Sequence, residues 1–133
     1  MIGLDTNVLV RYLVQDDLAQ TSQANTLIDR AAAHETAMFI NHVVICELAW
    51  VLGRGYGYDR TALAEVIEKI LLGRQFEIEK KDLVWTALAN FKASRADFAD
   101  CLIGVINDQA GCESTLTFDR SAASLRSFTN ARK

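Results

Sequence analysis

Short apolar runs alternate with long stretches of 3.6-residue periodicity along the whole chain, and no proline interrupts either pattern. Apolar residues at helical spacing predict amphipathic helices, whereas short apolar runs bounded by turn residues predict strands. Alternation of the two implies parallel pairing through helical crossovers. The expected fold is therefore α/β, a layered sandwich with helices on both faces of a parallel sheet. A chain of 133 residues fits one domain, residues 1–133, around a single core.

Strands are expected at Met1–Leu4, Thr36–Ile40, Phe76–Glu79 and Ser114–Phe118, with a last one near Leu125–Thr129. Thr6 or Asn7 is expected to cap a first helix that carries Val8, Leu9, Tyr12 and Leu13 on one side. Further helices are expected over Leu18–His34, His42–Arg54, Asp82–Ala93 and Asp97–Ala110, and from Asp59 or Thr61 to Leu72. Gly73 and Gly111 stand where two of them should stop.

Fourteen Lys and Arg against 17 Asp and Glu leave a net charge of −3. The molecule as a whole is thus no electrostatic magnet for nucleic acid, although a bound cation reverses the local sign. No apolar run approaches the ~20 residues that span a bilayer, so no membrane insertion is expected. The start, MIGLDTN, lacks the basic segment of a secretory leader. Cys46, Cys101 and Cys112 lack CxxC spacing and are expected as reduced, buried thiols of a cytoplasmic protein. His42 and Cys46 lie four apart, as zinc ligands do, but no second pair follows, and packing explains them better.

The acids carry the chemistry. In open parallel sheets the site lies beyond the carboxyl ends of the strands, and two expected strands end in aspartate, at Asp5 and Asp119. Glu47 has Val43, Val44, Trp50 and Val51 as its helical neighbours, so it is expected on the buried face, compensated by a buried base, a raised pKa or a metal. Asp97 and Asp100 flank the apolar arc of their helix, and Gly104, one turn on, is expected to leave room for a ligand. Gathering Asp5, Glu47, Asp100 and Asp119 at one sheet edge demands either shared protons or divalent cations with oxygen ligands. A carboxylate-only site without a Cys–His or Ser–His pair suits phosphodiester hydrolysis by metal-activated water.

The segments MIGLDTNVLVRYL, NHVVICELAWVL, ADFADCLIGVI and TLTFD, in that order, resemble the PIN-domain nucleases and, within them, the VapC-like toxins of bacterial toxin–antitoxin modules. The resemblance implies a PIN-like three-layer sandwich with a five-stranded parallel sheet. It implies Mg²⁺ or Mn²⁺ held by Asp5, Glu47, Asp100 and Asp119, with Asp97 as an extra ligand. Thr6, Asn7 and Thr117 would support those acids from behind. It also implies endoribonuclease activity on RNA, a cognate antitoxin protein and a homodimer. The antitoxin would enter a clamp between the His42–Arg54 and Asp59–Leu72 helices. Trp50, Val51, Leu52, Leu63, Ile67 and Leu71 read equally well as clamp or as core.

Arg11, Arg95, Arg120, Arg126 and the Arg132-Lys133 end are expected to frame the acids as phosphate contacts. A dehalogenase-type phosphotransfer site wants an acid where Asn7 stands, and the acidic pair and late lysine of a receiver domain are not evident. The remaining alternative is a PIN-like binding module that cleaves weakly or not at all and acts through a partner.

Overall fold

A computed structural model of the chain describes residues 1–132, so Lys133 of the expected basic end lies outside the described residues. Five strands alternate with seven helices: β1 (Ile2–Gly3), α1 (Thr6–Val14), α2 (Leu18–Ala33), β2 (Met38–Ile40), α3 (His42–Trp50), α4 (Arg60–Leu72), β3 (Phe76–Ile78), α5 (Lys81–Lys92), α6 (Phe98–Gln109), β4 (Thr115–Thr117), α7 (Arg120–Ala123) and β5 (Phe128–Asn130). A π-helical turn, Val51–Gly55, extends α3 into the glycine-rich loop. All strand pairs are parallel. The α/β class follows from the crossovers, as the alternation of patterns requires.

The single five-stranded sheet is not what forms. Strands β1, β2 and β3 make one sheet in that order, and β4 and β5 make a second. Strand length supplies the physical reason. Each strand has two or three residues, and β1 offers only Ile2 and Gly3, both exposed. So short a ladder gains little from its outer edge, and helix packing rather than strand pairing holds the layers.

Buried positions follow the expected periods. Met38, Ile40, Phe76 and Ile78 alternate inward on the paired strands β2 and β3. Leu9, Val10, Ile28, Val44, Ile45, Leu48, Ile67, Leu71, Val84, Leu88 and Leu102 close the core from the helices. Leu52, Ile67 and Leu71, left open between clamp and core, belong to the core.

Side chains with a free carboxylate or amide start most of the helices. Asp5, not Thr6 or Asn7, caps α1, accepting from the Thr6 amide at 2.7 Å. Asp17, Asn41, Asp59 and Asp119 cap α2, α3, α4 and α7 in the same manner. The one-turn helix α7, which the periodicity did not suggest, is built on that Asp119 cap. A single turn is too short to show a period.

Gly104 serves packing and not ligand access. A Cβ there would fall 2.4 Å from the Phe128 ring and 2.7 Å from Ser127 Oγ, so α6 lies directly against the start of β5. The gain in helix propensity from alanine is only about 1 kcal/mol. Gly104→Ala is therefore expected to destabilise the fold by a net ~1–2 kcal/mol, measured as a lower urea midpoint with an unchanged slope. Wild-type stability in that variant contradicts the close approach of α6 to Phe128.

Candidate metal centre

Glu47 is not on the buried face. Helix α3 buries Val44, Ile45, Leu48 and Ala49, while Glu47 shares the opposite side with Val43 and Trp50, which are 67% and 64% exposed. The helix is apolar nearly all round, so its apolar neighbours could not tell one face from the other. No buried base is needed to keep this carboxylate in place.

A threonine ties it to the first strand instead. Thr6 is one of two buried polar residues among the described residues. Its hydroxyl donates to Glu47 Oε1 at 2.8 Å, while its amide donates to Asp5 Oδ1 at 2.7 Å. One residue thus joins the carboxylate at the end of β1 to the carboxylate on α3. Each acid keeps its second oxygen free of these bonds. Asn7, the next residue, is exposed and lines a shallow cleft with Arg11 and Gln20, and it bonds neither acid among the described residues.

The other acids form a second group around the start of α6 and the end of β4. Asp100 stands in the first turn of α6. Partial burial pushes its carboxyl above the ordinary aspartate value, and the negative charges of Asp119 and Asp97 push in the same direction. Asp97 is the N-cap of α6, but its side chain makes no bond to the helix; only its carbonyl accepts, from the Cys101 amide at 3.0 Å. Asp119 accepts from the Ala122 amide at 2.8 Å, and its own amide donates to Thr117 Oγ1 at 3.0 Å. Thr117 therefore fixes the backbone that carries Asp119 rather than the carboxylate itself.

The candidate acids are thus brought together as two groups, Asp5 with Glu47 and Asp97 with Asp100 and Asp119. Among the described residues, no three His, Cys, Asp or Glu side chains stand close enough as placed to share one ion. The donors are nonetheless all hard carboxylate oxygens, the kind that suits Mg²⁺ or Mn²⁺. Burial and the neighbouring charges of Asp119 and Asp97 both disfavour the ionised Asp100 carboxylate, and a cation there would relieve both.

Several expected helpers are placed elsewhere. Arg11 does not face the acids: Nη1 reaches Asp16 at 2.7 Å and Tyr56 OH at 3.2 Å, and Nε reaches Gln20 at 2.6 Å. Tyr56 OH in turn donates to Asp16 at 2.7 Å, so Arg11 pins the α1–α2 turn to the glycine-rich loop. Arg95, Arg120, Arg126 and Arg132 are exposed and make no ion pair among the described residues. The thiols differ from one another. Burial pushes Cys101 up to about 11 and raises half-buried Cys46, whereas Cys112 is exposed in the turn after α6. Cys112 was expected to be buried, but Gly111 at φ +96° reverses the chain there and leaves it outside the core.

Glu79 was overlooked in the sequence. It follows β3, accepts the His42 amide at 2.9 Å on its side chain and meets His42 Nε2 with its carbonyl at 2.6 Å, which engages the ring away from any zinc pair. Its signal was positional, a carboxylate closing a strand next to the start of a neighbouring helix. A groove of about 480 Å³ also opens between α3, α4 and the start of α6, lined by Trp50, Arg54, Leu63, Phe98 and Asp97 among others.

Acids gathered at strand ends and helix starts of a small parallel α/β domain define a recognisable class. Residues 2–126 match the family model of the PIN domain, and the chain belongs to that family. Within it the chain is VapC-like. It is 27% identical over 117 residues to the VapC ribonuclease of Aquifex aeolicus (strain VF5), covering 88% of this chain and 86% of that protein. No helix among the described residues is long and apolar enough to cross a membrane.

The Asp100 shift has a consequence for the metal-free protein. An acid whose folded-state value is raised costs stability when ionised, and the cost disappears as pH falls through that value. Asp100→Asn is expected to raise the melting temperature at neutral pH by about 1–2 °C, a small effect because the group is largely solvated. The difference from wild type should shrink in acid. A variant that melts lower at neutral pH contradicts the burial and charge crowding that disfavour ionised Asp100.

Proposed function

We propose that this protein is a divalent-metal-dependent endoribonuclease and the toxin of a toxin–antitoxin pair. The observation that carries the reading is the Thr6 bridge between Asp5 and Glu47 together with the partly buried Asp100 beside Asp97 and Asp119. Similarity to a VapC ribonuclease over most of both chains supports it.

Asp5 and Asp100 would hold the cation, with Glu47 acting directly or through water and Asp119 and Asp97 completing the acidic rim. When bound, Mg²⁺ or Mn²⁺ neutralises charge on the scissile phosphate and makes water nucleophilic at neutral pH. The residues of this chain do the positioning. Thr6 sets the spacing of Asp5 and Glu47 through two donors on one residue, and Thr117 sets Asp119 through the backbone. Arg95, Arg120 and Arg126, free of ion pairs among the described residues, are the side chains available to RNA phosphates. Arg11, held by Asp16, is not among them.

The proposed partner is an antitoxin seated in the groove lined by Trp50, Leu63 and Phe98, where a basic side chain would reach Asp97. Exposed Val43 and Trp50 beside Glu47 are apolar surface that a protein partner would cover, and a homodimer and a cytoplasmic setting are part of the same proposal.

Purified protein is expected to cut RNA with Mg²⁺ or Mn²⁺ and to stop with EDTA, leaving 5′-phosphate and 3′-hydroxyl ends. Asp5→Asn should lower the rate about 10²–10⁴-fold, the equivalent of the several kcal/mol a Lewis-acidic ion supplies, while the fold persists by circular dichroism. Recovery of 2′,3′-cyclic phosphate ends, or wild-type cleavage by Asp5→Asn, would refute the mechanism. Metal binding without cleavage would favour the binding-module alternative.

A further inference from the structure

Past the Ala93 cap of α5, the turn that delivers Asp97 and Asp100 holds itself by two long bonds among the described residues, from the Ser94 amide to the Phe91 carbonyl at 3.4 Å and from the Ala96 amide to Ser94 Oγ at 3.3 Å. Helix α5 ends at Lys92 and α6 begins at Phe98, and the last carbonyls of a helix have no intrahelical partner. On the far side α6 has no side-chain cap. The carboxylates of Asp5, Asp17, Asp59 and Asp119 each bond an amide of their own helix at 2.7–3.0 Å, whereas the Asp97 carboxylate bonds none.

Helix α4 supplies the shorter bonds. Arg60, its first residue, donates from Nη2 to the carbonyls of Phe91 at 2.7 Å, Ser94 at 3.0 Å and Ala96 at 2.9 Å. Nη1 reaches the Arg95 carbonyl at 3.4 Å. The guanidinium lies 3.9 Å from the centroid of the Phe91 ring, and that ring meets Phe98 edge-on at 5.9 Å. Arg60 pairs with no carboxylate among the described residues, so its donors are spent on this one segment. A rigid fork of five N–H donors suits the task, and the positive charge sits at the negative end of α5. Ala96 is fully buried and Asp97 follows it directly.

We propose that Arg60 is a positioning residue for the Asp97 and Asp100 half of the metal site, a role that rests on the function proposed above. It touches neither acid. It clamps the carbonyls of residues 91–96, and that clamp sets where α6 begins and where its first-turn carboxylates stand.

The test compares wild type, Arg60→Gln and Arg60→Lys by Mn²⁺ calorimetry, by amide hydrogen exchange and by the KM and kcat of RNA cleavage. Arg60→Gln is expected to keep slow exchange in the α3 core while Cys101, Leu102 and Ile103 exchange faster. Its Mn²⁺ affinity should fall about 10- to 100-fold, the loss typical of a removed outer support. Cleavage at a fixed low Mn²⁺ concentration should lose kcat with KM for RNA unchanged. Arg60→Lys, which keeps the charge but not the fork, should fall between, and it decides the matter if Arg60→Gln does not fold. Wild-type Mn²⁺ affinity in a folded variant overturns the role of Arg60 alone, whether or not exchange quickens. Failure of the wild-type protein to take up Mn²⁺ overturns the nuclease reading and this proposal together.

Discussion

A helix N-terminus is the positive end of a dipole with unpaired N–H groups, and the structure is organised around where those ends lie. Parallel strands joined through helices send the chain into a helix at the carboxyl edge of the sheet. Asp5 after β1, Asn41 after β2 and Asp119 after β4 each bond an amide there, and Glu79 after β3 bonds the first amide of α3. Carboxylates that would repel one another in isolation are each offset by a local donor. The same geometry that stabilises the helices therefore concentrates negative charge where a cation-dependent site is proposed.

Glu47 is the exception, since it sits in the body of α3 and gains nothing from a helix end. Its place depends on the Thr6 hydroxyl, a buried group on another helix. Asp97 and Asp100 depend on the turn between α5 and α6, whose carbonyls are gathered by a single guanidinium from α4. The strand-end acids are placed by local backbone geometry, and the others by contacts between elements distant in sequence.

That division explains what could be read in advance. The expected strands and the six longer helices were legible because apolar spacing and turn residues report on local structure. The Asp5 and Asp119 positions were legible for the same reason. The face of α3 was not, because a helix apolar on nearly every side carries no directional signal. The role of Gly104 was not legible either, since nothing in α6 announces that Phe128 will lie against it. Arg11 and Cys112 went to other surroundings for equally long-range reasons, a Tyr56–Asp16 pair in one case and a chain reversal at Gly111 in the other.

The order of residues by itself determined the α/β class, the parallel direction of the strands and the set of acids, because each follows from short-range periodicity or from residue type. Tertiary structure alone decided the split of the sheet into three strands and two, the exposure of Glu47 and the gathering of the acids into two groups. Those outcomes depend on which surfaces meet across the core and on bonds such as Thr6–Glu47 and Arg60 to residues 91–96. Contacts between residues far apart in the chain leave no periodic trace in the sequence, so they exist only once the elements have packed.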